Sequence, residues 1–185
     1  IAKQTESKKK NKKTFTTISS LSREGLLEIR SFMHSLDEKE TTWDSLVAEC
    51  RFHGMNTLET YGINFTINTK IDKKINQPGG LLFLNIYRIY REALTNIIKH
   101  FNAKTVNVEL LVSSILIELK IRDNGTGLQM KNYNGRGLAN MKKRAQEIGG
   151  SISIISNNGI SIHLAVTPRK TTTSGYDSAV VFMLY

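Results

Sequence analysis

A chain of 185 residues can hold one ordinary domain with an appendage and can bury a substantial core. Its 39% hydrophobic and 23% charged residues match a globular protein, and no apolar run approaches the ~20 residues of a membrane-spanning helix. The single cysteine, Cys50, excludes an internal disulfide and a cysteine-built metal site, so a reducing, cytoplasmic setting is expected.

The net charge of +10 is unevenly spread. Lys3, Lys8, Lys9, Lys10, Lys12 and Lys13, set against Glu6, supply about half of it before any periodic pattern begins. The lysine run is not followed by the apolar stretch of a signal peptide. Residues 1–17 read first as a solvated tail or linker, and second as a contact for anionic lipid or nucleic acid. With no aromatic residue before Phe15 and no groove-entering helix pattern, nucleic acid is the disfavoured partner.

Within residues 18–40, apolar residues recur at Leu26, Ile29, Met33 and Leu36, one face of a helix that needs a partner surface. A second helix is predicted over about Trp43–Leu58. Beyond Gly62, Ile63, Phe65 and Ile67 alternate with polar residues, the mark of a half-buried strand. A loop from Asp72 to Gly80 leads into a long helix, about Leu81–Phe101. Strands are predicted over Val106–Val112 and Ile115–Arg122, with Ser113-Ser114 as the turn. A helix over Leu138–Ile148 ends at Gly149-Gly150. A last hairpin joins Ser151–Ser156 to Ile160–Val166 through Asn157-Asn158-Gly159. Residues 41–170 therefore read as an α+β fold, a two-layer sandwich of a mixed sheet covered by helices on one face. Residues 171–185 form a C-terminal tail without an assigned role.

Three segments are odd as pure structure. Glu92, Asn96 and Lys99 share one stripe of the long helix, while Leu94, Ile97, Ile98 and Phe101 serve the core. A carboxylate, an amide and an ammonium on one stripe suit a hydrated magnesium ion and the phosphates it bridges, although an exposed Glu–Lys face is the plainer explanation. Asp123-Asn124-Gly125-Thr126-Gly127 closes a strand. Its glycines permit close approach to a ligand, and its carboxylate can accept from an exocyclic amine; a simple turn is equally served. Gly135-Arg136-Gly137-Leu138 opens a helix, whose N-terminal amides and dipole suit phosphate. The spacing is not that of a dinucleotide fingerprint, and no strand precedes it.

In this order the three segments resemble the boxes of the GHKL ATPase family. More closely, they are similar to the catalytic domains of two-component histidine kinases of the nitrate-sensor and desaturase-thermosensor type. Arg91-Glu92-Ala93-Leu94-Thr95-Asn96 with Lys99-His100 matches the N box. Asp123-x-Gly125-x-Gly127 matches the first glycine box, and Gly135-Arg136-Gly137-Leu138 through Met141, with Arg144-Ala145, the second. Leu21 to Asp37 is similar to the second helix of the dimerisation hairpin.

The resemblance implies a Bergerat-type ATP-binding fold preceded by a dimerisation-type helix, with ATP and Mg2+ as cofactors. Asn96 would coordinate magnesium, Glu92 would act through water near the γ-phosphate as the catalytic residue, and Asp123 would read the adenine amine. Gly125 and Gly127 would border the nucleotide. Lys99, His100, Gly135, Arg136, Gly137 and Leu138 would lie near the phosphates, and residues 128–134 would form a short lid. The γ-phosphoryl group would pass to a histidine on a dimerisation helix of the parent kinase, and then to a response regulator. The parent would be a homodimer, and this chain would be the cytoplasmic part of a membrane-anchored sensor.

Two departures stand out. No helix with a His-Asp or His-Glu pair precedes Leu21, and His34 lacks an acidic neighbour, so the phosphoacceptor is expected outside this chain. His53 and His163 are expected to be structural. Where the family usually has Gly-Thr, this chain has Gly159-Ile160, so the hydroxyl is missing unless Ser161 supplies it. The alternatives are a catalytically inactive nucleotide-binding regulatory module, an anti-sigma-factor serine kinase and a basic nucleic-acid-binding protein. The Lys99-His100 ending and the Leu26–Leu36 stripe favour the histidine kinase.

Overall fold

The computed structural model describes residues 41–100, 102–127, 136–156 and 158–168, with only the backbone for His100 and Arg136. The expected tail (1–17), dimerisation-type helix (18–40, with His34), lid (128–134), Gly135 and C-terminal segment (171–185) lie outside the described residues.

Helix α1, Trp43–Leu58, starts at a reciprocal cap. The Ser45 amide donates to Thr42 Oγ1 (3.0 Å) and the Thr42 amide to Ser45 Oγ (3.1 Å), which satisfies two otherwise orphaned donors. Trp43, Leu46, Cys50 and Leu58 fall on one face and are buried. The Trp43 indole N–H donates to the Asn76 carbonyl (2.9 Å) and ties the loop of residues 72–79 to the start of the helix. A short 3-10 turn, Glu59–Tyr61, ends at Gly62 with φ of 67°, and strand β1, Asn64–Ile71, follows.

Helix α2, Gly80–His100, crosses from β1 to strand β2, Thr105–Val112, which pairs parallel with β1. Strand β3, Ile117–Asp123, is antiparallel to β2. Helix α3, Arg136–Glu147, then leads to the β4–β5 hairpin, Gly150–Ser156 and Ile160–Val166. The strand order is β1-β2-β3-β5-β4, so the last strand pair inserts β5 beside β3.

Alternation builds two faces. Val106, Val108, Leu110, Ile117, Leu119, Ile121, Ile162 and Leu164 are all 2% exposed or less and meet Ile86, Ile89, Leu94 and Ile97 of α2. Helix α1 packs on α2 and β1, and α3 packs on α2 and β4, which completes a helical layer on this face. The other face is polar: Glu118 accepts from His163 Nε2 at 2.7 Å and lies 3.3 Å from Lys120 Nζ. This is the expected two-layer α+β sandwich. Among the described residues no helix is long and apolar enough to cross a membrane.

Two element starts differ from the sequence reading by two residues, and the other bounds by one at most. Ile115 does not belong to β3. Ser113 closes the turn, its Oγ accepting from the Leu116 amide (3.1 Å) and donating to the Leu116 carbonyl (2.9 Å), so pairing begins at Val112–Ile117. Ile115 is left 77% exposed at the tip. Helix α3 begins at Arg136, not Leu138, and so places Gly137 inside its first turn.

Candidate functional site

The site residues fall into two clusters, one at the start of α3 and one at the end of β3. In the first, Glu92 and Asn96 lie four residues apart on α2 and are half-buried, while Lys99 is exposed. Helix α3 crosses this stripe at Gly137. A methyl group there would run into Glu92 Oε1 and lie 3.2 Å from Glu92 Cδ and 3.4 Å from Asn96 Nδ2. Glycine is needed for this approach, and the helix start is thereby held over a carboxylate and an amide. Leu138, beside it, packs on the core. Arg91, next to Glu92, turns the other way, with its guanidinium carbon 6.0 Å from the Tyr87 ring centroid.

In the second cluster, Asp123 is the last residue of β3, on the core side of the sheet with Ile117, Leu119 and Ile121. Its Oδ1 accepts from the Gly125 amide (2.7 Å) and its Oδ2 from the Ile160 amide (3.0 Å). Burial raises its pKa above the usual carboxylate value, and the two amide donors oppose that rise. With about four acceptor directions in all, the carboxylate keeps capacity for a further donor. Asn124 faces elsewhere: its Oδ1 accepts from the Lys104 and Thr105 amides (2.8 and 2.9 Å) and ties the end of β3 to the start of β2.

The β4–β5 turn completes this end. Gly159, at φ of 117°, lies against the Asp123 carbonyl so closely that a Cβ would collide with it. Gly127, at φ of 76°, lies against Ser156 and Gly159: a Cβ there would be 2.5 Å from Ser156 Oγ and 3.3 Å from the Gly159 carbonyl oxygen. The sequence reading named Asp123, Gly125 and Gly127, which the structure brings together; it did not name Ser156 or the Ile160 amide, which lie beside them. The Asn-Asn-Gly turn was visible, but the pairing of β5 with β3, which brings that turn to Asp123, carries no local signal.

Among the described residues no group of three or more His, Cys, Asp or Glu side chains could hold a metal ion by itself. Adjacent Glu92 and Asn96 still fit a magnesium ion whose other ligands are phosphate oxygens and water, the usual way such an ion is carried. The helix start opposite them presents first-turn amides that lack intrahelical partners.

Together, the sandwich and the two clusters are the arrangement expected of a GHKL-type nucleotide-binding domain. Residues 83–172 match the family of histidine kinase-, DNA gyrase B- and HSP90-like ATPases. It is 31% identical over 170 residues to the sensor histidine kinase YxjM of Bacillus subtilis, covering 90% of this chain and 40% of that one. It is 34% identical over 103 residues to the sensor histidine kinase LiaS of the same organism, covering 52% of this chain and 29% of that one. The chain thus spans well under half the length of these relatives. The fold is similar to Acinetobacter baumannii histidine kinase AdeS, with a TM-score of 0.55, 13% identity and coverage of 77% of this chain and 76% of that one.

Proposed function

We propose that this chain is the catalytic ATP-binding part of a sensor histidine kinase. The reading rests chiefly on Gly137, which seats the start of α3 against Glu92 and Asn96. In this reading Asp123 accepts from the adenine amine, and Gly125 and Gly127 leave room for the base. Asn96 supplies an amide oxygen to Mg2+, and the amides of the α3 first turn, with Lys99, His100, Gly135, Arg136 and Leu138, surround the phosphates. Bound magnesium would neutralise phosphate charge.

The chemistry is a phosphoryl transfer. A bond forms between an imidazole nitrogen of the acceptor histidine and the γ-phosphorus. The bond from that phosphorus to the β–γ bridging oxygen breaks, and ADP leaves. Glu92, directly or through one water, takes the imidazole proton. The acceptor is a dimerisation-type helix of the same kinase, and a response-regulator aspartate receives the group next. Residues 18–40 are the second helix of that hairpin, residues 41–170 the ATPase body and 128–134 its lid. The parent is a homodimeric, membrane-anchored sensor, and this chain belongs to its cytoplasmic part.

The test is transfer of labelled γ-phosphate to a phosphoacceptor helix supplied in trans, with the wild type and Glu92→Gln. The account expects Glu92→Gln to bind Mg-ADP normally and to transfer roughly 100-fold more slowly or worse. Unchanged transfer would refute the role of Glu92. Tight nucleotide binding with no transfer by the wild type to any acceptor helix would refute the kinase reading.

A further inference from the structure

Helix α1 is apolar on two sides. Its buried face, with Trp43, Leu46, Cys50 and Leu58, serves the core. On the outward side Ser45, Ala48, Phe52 and Met55 follow at steps of three, four and three residues, the seam of a helix that meets another helix. Phe52 is 70% exposed and Met55 44%, and Ala48 is exposed beside them. One exposed apolar side chain means little. A phenylalanine and a methionine one turn apart on a common seam form a strip that a partner helix can cover.

The chain carries a second seam of the same rhythm just upstream. Leu26, Ile29, Met33 and Leu36 also step by three, four and three. Six residues, 37–42, separate it from the first residue of α1, and none of them is apolar. Connections of about two to eight residues join antiparallel helices. Folding back over such a loop sets the two seams in one register, from Leu36 opposite Ser45 beside the loop to Leu26 opposite Met55 at the far end. Side-chain sizes agree with it: Leu36 and Met33 fall opposite the small Ser45 and Ala48, and Ile29 falls opposite Phe52. So do the flanks, where Arg30 comes beside Glu49, an exposed carboxylate on α1. A shift of one heptad in either direction would set Ile29 opposite Glu59, or Phe52 opposite Ser22.

We propose that the outward seam of α1 is a docking site for residues 21–37 of the same chain, folded back on it as an antiparallel helix. The proposal rests on the helix expected within residues 18–40 and is independent of the nucleotide site. The Leu26–Leu36 stripe can face one surface at a time. Docking on α1 and pairing in a dimerisation hairpin therefore exclude each other, and the α1 seam withholds the stripe until a hairpin partner competes for it.

The test is disulfide trapping in the full chain, with Met33→Cys/Ala48→Cys as the matched pair and Met33→Cys/Asn56→Cys as the mismatched one. Asn56 lies about two turns further along α1, and Cys50 is buried and does not compete. Under oxidised glutathione the matched pair is expected to close within one monomer at least about tenfold faster than the mismatched pair. Hydrogen exchange gives a second readout without added cysteines. Amides of residues 24–36 are expected to be protected in the wild type and to exchange at least about tenfold faster in Phe52→Asp/Met55→Asp, with β2 and β3 unchanged. Both substituted side chains are exposed, so the body of the protein stays folded. Equal closure of the two pairs, or no protection of residues 24–36 in the wild type, would overturn the proposal. So would disulfides that form only between two copies, because the occupant would then be a second chain.

Discussion

Gly137→Ala should separate stability from catalysis. The glycine lies in the first turn of α3 and its φ is not positive, so alanine fits the backbone and lowers the entropy of the unfolded chain, a gain of about 0.4–1 kcal/mol. Against this, the new methyl would overlap Glu92 Oε1 and touch Asn96 Nδ2 at 3.4 Å. Glu92 ends in a flexible carboxylate and can swing aside at a rotamer cost of about 0.5–1.5 kcal/mol, so the two terms roughly cancel. Tm should stay within about 3 °C of wild type. The carboxylate, however, moves by about 1 Å or more, and a misplacement of that size costs a reaction roughly 100-fold. Thermal unfolding, ADP titration and labelled phosphotransfer to an acceptor helix measure the three quantities on one preparation. Phosphotransfer at the wild-type rate would refute the placement of Glu92 against Gly137. So would a large fall in Tm, because the overlap would then involve something that cannot yield.

The remaining predictions concern pH and the helix cap. His53 is half-buried, its ring 6.2 Å from each of the Tyr87 and Tyr90 centroids; burial first, then the charge of Arg91, push its pKa from 6.5 down to about 4. Protonation thus favours the unfolded chain. About 1–2 kcal/mol of stability, after allowance for solvent screening, should be lost as pH falls from 6.5 toward 4. In urea titrations His53→Phe should flatten that slope, and an unchanged slope would contradict the assignment. Asp123 has the opposite sign: its folded pKa is raised by burial, so its contribution to the stability of the empty protein declines as pH rises through that value. Nucleotide affinity, which needs the carboxylate ionised, should instead fall on acidification, beginning above the usual carboxylate range; a pH-independent Kd would exclude Asp123 as the acceptor. Thr42→Ala removes the reciprocal cap of α1 and should cost about 1 kcal/mol, a fall in Tm of roughly 2–4 °C by calorimetry.

Much of the fold was legible because its signals are local. The apolar spacing from Trp43 to Leu58 gives α1 with the bounds observed, and the alternation of Ile160, Ile162, Leu164 and Val166 gives β5. Ile115 was misplaced because it continues the period of Ile117 and Leu119, whereas the Ser113 hydroxyl ends the ladder before it. The strand order was not legible, since the pairing of β5 with β3 joins residues 39 to 49 apart and depends on helices covering a shared face. That long-range pairing also explains why Glu92, Asn96 and Lys99 could be placed on one helix stripe from sequence, while the approach of Ser156 and the Ile160 amide to the end of β3 could not.

The central claim is that Asp123 and the Glu92–Asn96–Gly137 cluster form one nucleotide site. Its most direct test is calorimetric titration of the chain with a non-hydrolysable ATP analogue, with and without magnesium, for the wild type and Asp123→Ala. The account predicts saturable, magnesium-enhanced binding to the wild type and at least a tenfold loss, roughly the worth of one charged hydrogen bond, in Asp123→Ala. No binding to folded wild type, or equal binding to both proteins, would contradict it.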